Sequence, residues 1–282
     1  MARKIGLFVV ALAMVGALCG AALAGDTLAE VKKKGVLVAG VKDSLPPFGS
    51  VDPQTKEFVG YDIDFVRAIA KRMGVTKVEF KPVTSANRMP QLQEGHIDLI
   101  AATMTKNPER AKQIDFSYTY FLTGQKFLAK KGTVKSLKDL EGKKIGTAKG
   151  STSEQNVKKS VPSATVLSFD DYPQGVLALQ QGKVIAVTTD ESILAGQLGK
   201  LEKNAATKGQ YEIPDITISE EPYGIGMRKG DTNFVKFVND TILAMEKSDE
   251  AKKIFETWFG PNSDSPINRG NFKITADKRG TE

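Results

Sequence analysis

Cysteine and histidine are nearly absent from this chain, since each occurs once in 282 residues, as Cys19 and His96. A zinc site made of cysteine and histidine is therefore excluded, because a structural zinc ion takes about four such ligands. A nucleophilic mechanism of the Ser-His-Asp or Cys-His type would have to use His96. The chain also lacks an apolar run of the roughly 20 residues that a membrane-spanning helix needs. Its longest such run, residues 5–18, has 14.

Acidic residues are fewer than basic ones. Lysine and arginine number 40 against 33 aspartates and glutamates, which gives a formal net charge of +7. The basic residues lie singly or in short clusters such as residues 32–34 and 143–144, without a basic helix or interleaved aromatic residues. This pattern favours a solvated surface over a nucleic-acid interface, so we expect no nucleic-acid partner. With 40% hydrophobic residues, the chain can form one large domain or two of about 130 residues.

The amino terminus has the pattern of a secretory leader. Arg3 and Lys4 precede the apolar run, and residues 22–24 (ALA) form the small-x-small pattern at which signal peptidase cuts. We therefore predict a signal peptide at residues 1–24 and a periplasmic protein. Cleavage would leave 258 residues with a net charge of +5, because Arg3 and Lys4 are removed.

The single cysteine falls inside this predicted leader. Two interpretations compete: lipid attachment at Cys19, or its loss with the signal peptide. Loss is favoured because bulky Leu18 directly precedes the cysteine, where a lipoprotein signal has Gly or Ala. A chain without cysteine is well suited to an oxidising compartment.

Short helices and apolar strands alternate along the rest of the chain, which is typical of an α/β protein. Residues 27–34 are predicted to form an amphipathic helix that ends at Gly35, and residues 36–41 a buried strand. The two prolines in residues 42–49 end that strand. Residues 60–64 open a further helix with acids in its first turn, where they favour the helix dipole.

One αβ unit occurs twice. Residues 92–103 (LQEGHIDLIAAT) align without a gap on residues 179–190 (LQQGKVIAVTTD), and each predicts a helix, a glycine stop, an apolar strand and a polar tip. Residues 35–42 and 142–149 form a weaker second pair. The repeat indicates two similar lobes whose strands end in facing polar loops, where open α/β sheets bind ligands. Two independent helix-Gly-strand units remain an alternative.

Two extended segments, residues 118–126 and 220–227, are the predicted crossings between these lobes. They give a discontinuous lobe I of residues 25–122 plus 224–282 and a continuous lobe II of residues 123–223. Two strands that join two lobes form a hinge.

Residues 60–65 (GYDIDF), followed by Ile69, Ala70 and Met73, resemble the signature of extracellular solute-binding protein family 3, which serves polar amino-acid ABC transporters. The resemblance implies a two-lobed type II periplasmic binding fold, α/β, with two mixed sheets flanked by helices and a two-strand hinge. It also implies a binding protein that is not an enzyme, closes over one amino acid and delivers it to permease subunits in the inner membrane. We expect a monomer that uses no cofactor and no metal.

The resemblance assigns roles to residues on both lobes. Residues 103–110 (TMTKNPER) are similar to the family segment that grips the ligand's α-carboxylate, with Thr103, Thr105 and Arg110 as its contacts. An arginine suits this role because its guanidinium forms two parallel hydrogen bonds with a carboxylate. Asp190 stands where the family has the acid that pairs with the α-ammonium. A ligand between Arg110 and Asp190 would touch both lobes only in the closed state.

Residues 84–88 (TSANR) are similar to the glutamate/aspartate-binding subgroup, in which the serine and arginine, here Ser85 and Arg88, contact the ligand. Lys42 stands where the subgroup has a further basic residue that faces the side-chain carboxylate. Two cations near one pocket indicate a second carboxylate on the ligand, because an unpaired buried charge is costly. Solvated surface cations are the alternative.

Residues 150–154 (GSTSE) resemble the subgroup's hydroxyl-rich loop and add Ser151 and Thr152 to the predicted contacts. The chain departs from the subgroup at Ala148 and at Tyr172, which stands where the subgroup has histidine and which we include among the predicted ligand contacts. The sequence therefore predicts glutamate or aspartate as ligand, with glutamine or another polar amino acid as the alternative. A periplasmic dehydratase on the same fold is a further alternative, and Glu191 is the nearest candidate acid for it.

Overall fold

A computed structural model describes residues 25–281 of the chain. The predicted signal peptide, with Cys19, lies outside the described residues. Among the residues described, no helix is long and apolar enough to cross a membrane.

Helices and strands alternate along the described chain. The α-helices are α1 (Thr27–Lys34), α2 (Tyr61–Met73), α3 (Arg88–Gln93), α4 (Pro108–Ala111), α5 (Thr152–Ser160), α6 (Tyr172–Gln180), α7 (Glu191–Lys203), α8 (Thr232–Lys247) and α9 (Glu250–Phe259). The strands are β1 (Val36–Val41), β2 (Ser44–Leu45), β3 (Gly49–Val51), β4 (Phe58–Val59), β5 (Lys77–Pro82), β6 (Leu99–Ala101), β7 (Ile114–Phe116), β8 (Phe121–Lys130), β9 (Lys144–Ala148), β10 (Thr165–Phe169), β11 (Ala186–Asp190), β12 (Tyr211–Glu212), β13 (Ser219–Tyr223) and β14 (Gly226–Arg228).

Most of the described strands form two mixed sheets with the same internal order, while β2, β3 and β4 form a small antiparallel sheet. The first sheet runs β5-β1-β6-β14-β7 and the second β10-β9-β11-β8-β12, with β13 also paired to β8. In each sheet three parallel strands are followed by one antiparallel strand, β14 in the first and β8 in the second. We keep the names lobe I and lobe II for the units built on the first and second sheet. The predicted two-lobed, mixed α/β fold is thus confirmed.

The sequence repeat corresponds to equivalent units of the two lobes. Gly95 and Gly182, which follow α3 and α6, have φ angles of 77° and 70° in the left-handed region that glycine favours. Each glycine is followed by a strand, β6 or β11, that lies inside its sheet. Thr103 comes just after β6 and Asp190 ends β11, so the repeat places both residues at carboxyl ends of strands.

The chain crosses between the lobes twice, and the two crossings run side by side. β8 and β13 pair antiparallel from Phe121 opposite Tyr223 onwards. Just before β8, the Ser117 N–H donates to the Ile225 carbonyl over 2.9 Å. These bonds make the two crossings a hydrogen-bonded pair, as a two-strand hinge requires. The exact residues at which each lobe ends stay a prediction.

The core of lobe I is rich in aromatic residues. Phe48 packs edge-on against Phe121 with ring centroids 5.0 Å apart, and Tyr61 lies 5.5 Å from Phe259. Helices α8 and α9, which follow the second crossing, supply Phe259 and much of the rest of this cluster. Packing of α9 against α2 therefore returns the chain to lobe I after it has formed lobe II.

Candidate functional site

Charged side chains gather where the strands of the two lobes end. Lys42 follows β1, Asp190 ends β11, and Arg88 and Arg110 begin or lie in the short helices α3 and α4. Their exposed fractions are 0% for Lys42, 2% for Arg88, 8% for Arg110 and 3% for Asp190. Ionisable residues are rarely buried unless they are paired, so this cluster needs a physical explanation. We call the region between the lobes where these four side chains meet the cleft.

Arg110 lies in the wall of the cleft between the lobes. Helix α4 begins with Pro108 after the N-cap Asn107, whose side chain accepts a hydrogen bond from the Arg110 N–H over 2.8 Å. The guanidinium donates to the Thr105 carbonyl over 2.7 Å and, across the cleft, to the Gly150 carbonyl over 3.3 Å. Burial lowers the pKa of Arg110 to about 9, and the neighbouring Arg88 cation adds to the effect. An anion bound beside Arg110 would offset both the burial of its guanidinium and the repulsion from Arg88.

Asp190 faces the cleft from lobe II. One carboxylate oxygen, Oδ2, accepts a hydrogen bond from the Tyr223 hydroxyl. The other oxygen, Oδ1, is buried and has no hydrogen-bond partner within residues 25–281. Burial raises the pKa of Asp190 well above its usual range, and the carboxylate of Glu221 raises it further. A cationic donor placed at Oδ1 would counter both effects.

Arg88 is held by its own loop. The Thr84 and Asn87 side chains exchange hydrogen bonds with each other's backbone N–H, over 3.2 and 2.9 Å, and so shape the turn before α3. The Arg88 guanidinium donates to the carbonyls of Ala102 and Thr103, over 2.5 and 3.2 Å. Its Nε is buried without a partner among the residues described. Burial lowers the pKa of Arg88, while the nearby Tyr172, Tyr223, Asp171 and Asp190 oppose that shift only in part.

Lys42 pairs across the cleft with Asp171. The Lys42 Nζ lies 2.8 Å from Asp171 Oδ2, so a residue of lobe I is bonded to a residue of lobe II. Burial lowers the pKa of Lys42, while the carboxylate of Asp171 opposes that shift. The sequence prediction included Lys42 but missed Asp171. The sequence signals only that Asp171 begins a helix, since it is the N-cap of α6 with Gln174 as its capping-box partner, and it does not signal the pairing with Lys42.

The predicted hydroxyl contacts are buried or half-buried beside these charges, and two of them already have protein partners. Ser151 is the N-cap of α5, and its hydroxyl donates to the Ala148 carbonyl over 2.6 Å. Thr152 Oγ1 donates to Glu221 Oε2 over 2.8 Å and lies 3.5 Å from Thr105 Oγ1 of the other lobe. Both residues are thus at the cleft, but their hydroxyls also serve the fold.

The other three predicted residues lie around the same cluster. Thr103 has a φ of 49° and Ser85 is 7% exposed in the turn before Arg88. Tyr172, the first residue of α6, is buried, and burial together with the Asp190 carboxylate raises its pKa. Hydrogen bonds and charge interactions therefore connect nine of the ten predicted site residues in one cluster, and Ser85 lies in the turn that leads to it. Their contacts with a ligand stay a prediction.

A further buried acid of lobe I lies in the first turn of α2, as the sequence predicts, and has a second role that the sequence did not predict. Asp62, predicted to favour the dipole of α2, is fully buried, and it accepts hydrogen bonds from the Thr103 N–H over 3.0 Å and the Tyr120 hydroxyl over 2.7 Å. Burial raises the pKa of Asp62 to about 6. Asp62 thereby holds Thr103 in its left-handed conformation, which is strained for a residue other than glycine. Position in the first helical turn gave no sign of this role.

These features define a class of protein. Two lobes, joined by paired crossings, meet at a buried cleft. Each lobe presents charged side chains there, and the surrounding protein groups neutralise those charges only in part. Such a cleft suits a small charged solute. No cluster of three or more His, Cys, Asp or Glu side chains suited to a metal ion occurs in residues 25–281.

Comparison with known proteins identifies the family. A model of the bacterial extracellular solute-binding proteins, family 3, matches residues 37–261. The ABC transporter glutamine-binding protein GlnH of Bacillus subtilis is 40% identical over 237 residues, which are 83% of this chain and 84% of that protein. The glutamate/aspartate import solute-binding protein of Salmonella typhimurium is 36% identical over 272 residues, 92% of this chain and 88% of that protein. The solved structure of an ancestral arginine-binding protein bound to glutamine has a TM-score of 0.74 and 43% identity, and covers 80% of this chain and 98% of that one.

The chain therefore belongs to the bacterial extracellular solute-binding proteins, family 3. The family predicted from residues 60–73 is confirmed. The relatives differ in the solute that their names record, so family membership leaves the solute of this chain open.

Proposed function

We propose that this chain is the solute-binding protein of an ABC importer for amino acids and that its preferred ligands are glutamate and aspartate. Arg110 binds the α-carboxylate and Asp190 Oδ1 accepts from the α-ammonium. Because these two residues belong to different lobes, one amino acid links them and stabilises the closed state.

The observation that carries the acidic ligand is a buried arginine of the cleft that has no carboxylate among its hydrogen-bond partners. Arg110 and Asp190 match the two charges of the amino-acid backbone, and Lys42 is paired with Asp171. Arg88 is buried, and its hydrogen bonds within the described chain go to carbonyl oxygens alone. A second carboxylate on the ligand supplies a charged partner for Arg88, since a buried cation without one is costly.

Calorimetric titration with the twenty amino acids tests the proposal. We expect glutamate or aspartate to bind most tightly and Arg110→Ala to abolish binding of every amino acid. A flat response of the wild-type protein to both acidic amino acids would refute the proposed ligand.

Arg88→Ala tests the role of the remaining cation. It should weaken glutamate and aspartate more than glutamine, because glutamine carries no side-chain charge. Arg228→Ala is the matched control: Arg228 also donates to a backbone carbonyl of lobe I, that of Ile97 over 2.7 Å, but it lies outside the cleft. Equal loss of glutamate and glutamine in Arg88→Ala would contradict the assignment.

Glutamine is the second candidate. It is favoured by the identity to the Bacillus subtilis glutamine-binding protein and by the likeness to the glutamine-bound ancestor. An amide needs an acceptor as well as a donor. Asp171, beside Lys42, could supply that acceptor, so the ratio of glutamate to glutamine affinity distinguishes the two candidates.

An enzymatic role finds less support. Glu191, the acid considered for a dehydratase, pairs with Lys126 over 3.0 Å, and its side chain is 43% exposed. Asp190 has the raised pKa that a general acid needs, but its free oxygen suits an ammonium donor. If the protein binds without chemistry, a bound amino acid is recovered unchanged by mass spectrometry after prolonged incubation.

The proposal also includes export of the protein and delivery of the amino acid to a permease. Periplasmic fractionation and amino-terminal sequencing should give a mature protein that begins at Gly25 and has lost Cys19. Uptake of radiolabelled glutamate by cells should require this protein together with an ABC permease. We propose a monomer, which light scattering after size-exclusion chromatography tests.

A further inference from the structure

One face of helix α7 contacts the opposite lobe. Ile193 of this lobe II helix is buried within the hydrophobic cluster of lobe I. Farther along the helix, the Lys200 Nζ donates to the Ser44 carbonyl over 3.4 Å, and the Lys203 Nζ lies 2.5 Å from an Asp264 carboxylate oxygen. Lys200 lies seven positions after Ile193, and Lys203 lies three positions after Lys200, which is the spacing of residues on one helix face.

Two glycines lie on the same face. A Cβ atom on Gly196 would stand 2.2 Å from the Pro46 carbonyl oxygen and 2.9 Å from Pro47 Cδ. A Cβ atom on Gly199 would stand 2.4 Å from the Asp264 carbonyl oxygen. In both cases the nearest atom belongs to the backbone of lobe I, so a change of rotamer cannot relieve the overlap.

The backbone of α7 itself does not require glycine at these positions. Both residues lie inside a regular helix, and neither has the left-handed φ that favours glycine. Glycine inside a helix is less stable than alanine, because it loses more conformational freedom on folding. The close approach of lobe I is the feature of the structure that explains both glycines.

We infer that Gly196 and Gly199 set how far the two lobes close, and that they are positioning residues for solute binding. Added methyl groups would hold α7 away from lobe I by about 1 Å, since a carbon and a carbonyl oxygen need more than about 3 Å. Arg110 and Asp190 could then no longer hold one amino acid with full contacts on both sides. The inference rests on the proposed function for this last step, whereas the limit on closure rests on the geometry alone.

The test compares Gly196→Ala and Gly199→Ala with the wild-type protein. L-glutamate and L-glutamine are titrated calorimetrically, and thermal unfolding is followed without amino acid. We expect each variant to lower the affinity for the amino acid that the wild type binds by about fivefold to 150-fold, because overpacking costs roughly 1–3 kcal/mol. The unliganded variants should unfold at the same or a higher temperature, since alanine stabilises the helix.

Gly175→Ala in α6 is the matched control. A Cβ atom there would meet Phe169 and Val187, both of lobe II, at an ordinary 3.5 Å. This variant should keep the wild-type affinity, although it also replaces a helical glycine of lobe II.

The distance between the lobes gives a second readout. Spin labels on Gln54→Cys in lobe I and Lys183→Cys in lobe II report it with and without amino acid. With amino acid bound, Gly196→Ala should show a longer distance than the wild type, whereas without amino acid the two proteins should show the same distance, because the overlap arises only as the lobes close. Wild-type affinity combined with an unchanged distance in the bound proteins would overturn the inference, and so would a loss of thermal stability that accounts for the whole loss of binding. If the wild type binds neither amino acid, the proposed ligands fail, and the distances measured with whichever of the twenty amino acids it does bind decide the inference about closure.

Discussion

Lobe I contains two buried lysines, Lys42 and Lys106. A substitution of Lys106 is therefore a matched control for a test of the charge that Lys42 brings to the cleft. The Lys42 side chain is 0% exposed and pairs with Asp171 at 2.8 Å. The Lys106 side chain is 1% exposed, lies 3.6 Å from Asp277 and has a pKa that burial lowers to about 8. Both are buried lysines with one aspartate each, but Lys42 has Arg88 as a neighbour in the cleft and Lys106 does not.

Lys42→Met should weaken glutamate binding by about tenfold to a hundredfold, since a hydrogen bond to a charged group contributes roughly 1.5–3 kcal/mol. Glutamine binding should fall less, because its amide attracts the ammonium less strongly. Lys106→Met should leave the ratio of glutamate to glutamine affinity unchanged. Calorimetry on both variants measures the ratios, and an equal shift of the ratio in the two variants would count against a role of Lys42 at the ligand.

The hydrogen bond from Tyr223 to Asp190 predicts a pH dependence. Burial raises the pKa of Asp190, and the Tyr223 hydroxyl opposes that shift by stabilising the carboxylate. An α-ammonium group needs the ionised carboxylate, so affinity is lost as the pH falls through the pKa of Asp190. Tyr223→Phe raises this pKa further, and the loss should therefore begin at a higher pH than in the wild type.

Titrations between about pH 5 and pH 8 measure that shift. Tyr120→Phe is the control, since the Tyr120 hydroxyl donates to another buried carboxylate, Asp62, over 2.7 Å. Superimposable pH profiles for Tyr223→Phe and the wild type would disprove the proposed role of Asp190 as the partner of the ammonium.

At the scale of elements, the carboxyl-terminal segment packs against the hinge. Asp277 accepts a hydrogen bond over 2.9 Å from Thr119, in the first crossing. Gly280 packs against Pro222 of the second crossing, since a Cβ atom on Gly280 would stand 2.8 Å from the Pro222 ring. Asp277 also neutralises the buried Lys106. Residues 274–281 thus contact both crossings, on the side of the hinge where Lys106 lies.

Asp277→Ala should therefore lower the free energy of unfolding by about 1–3 kcal/mol, because it leaves a buried ammonium without its anion. Asp264→Ala removes an exposed ion pair with Lys203 and should change stability by less than about 0.5 kcal/mol. Urea denaturation of both variants gives the comparison, and equal stability losses would mean that the contact at the hinge contributes no more than a surface pair.

The sequence predicts the ends of helices and strands well where neighbouring residues determine them. Gly35 ends α1 in a left-handed conformation with a φ of 70°, as its position after an amphipathic run predicts. The pairing of Lys42 with Asp171 and the overlap at Gly196 could not be predicted, because both join residues of different lobes whose approach depends on the whole fold. The role of Asp62 as the acceptor for the Thr103 N–H could not be predicted either, since Thr103 is distant in sequence.

At the scale of the whole molecule, the two lobes share a topology but divide the charges. Lobe I contributes Lys42, Arg88 and Arg110 to the cleft, and lobe II contributes Asp171 and Asp190. A solute with both signs of charge can satisfy both lobes at once. Closure and binding are then one equilibrium, because the proposed partner of the ligand's α-carboxylate lies on lobe I and that of its α-ammonium on lobe II.

The same division of charge predicts how fast an acidic ligand associates. The chain carries a net charge of +7, or +5 without residues 1–24, and the side of the cleft formed by lobe I is cationic. A positive field raises the association rate of an anion and is screened by salt over a length of about 10 Å at 0.1 M. Stopped-flow measurements should show that the association rate of glutamate falls as salt is added, while that of glutamine, which carries no net charge, changes little. Parallel salt dependences for the two amino acids would contradict steering by the cationic cleft.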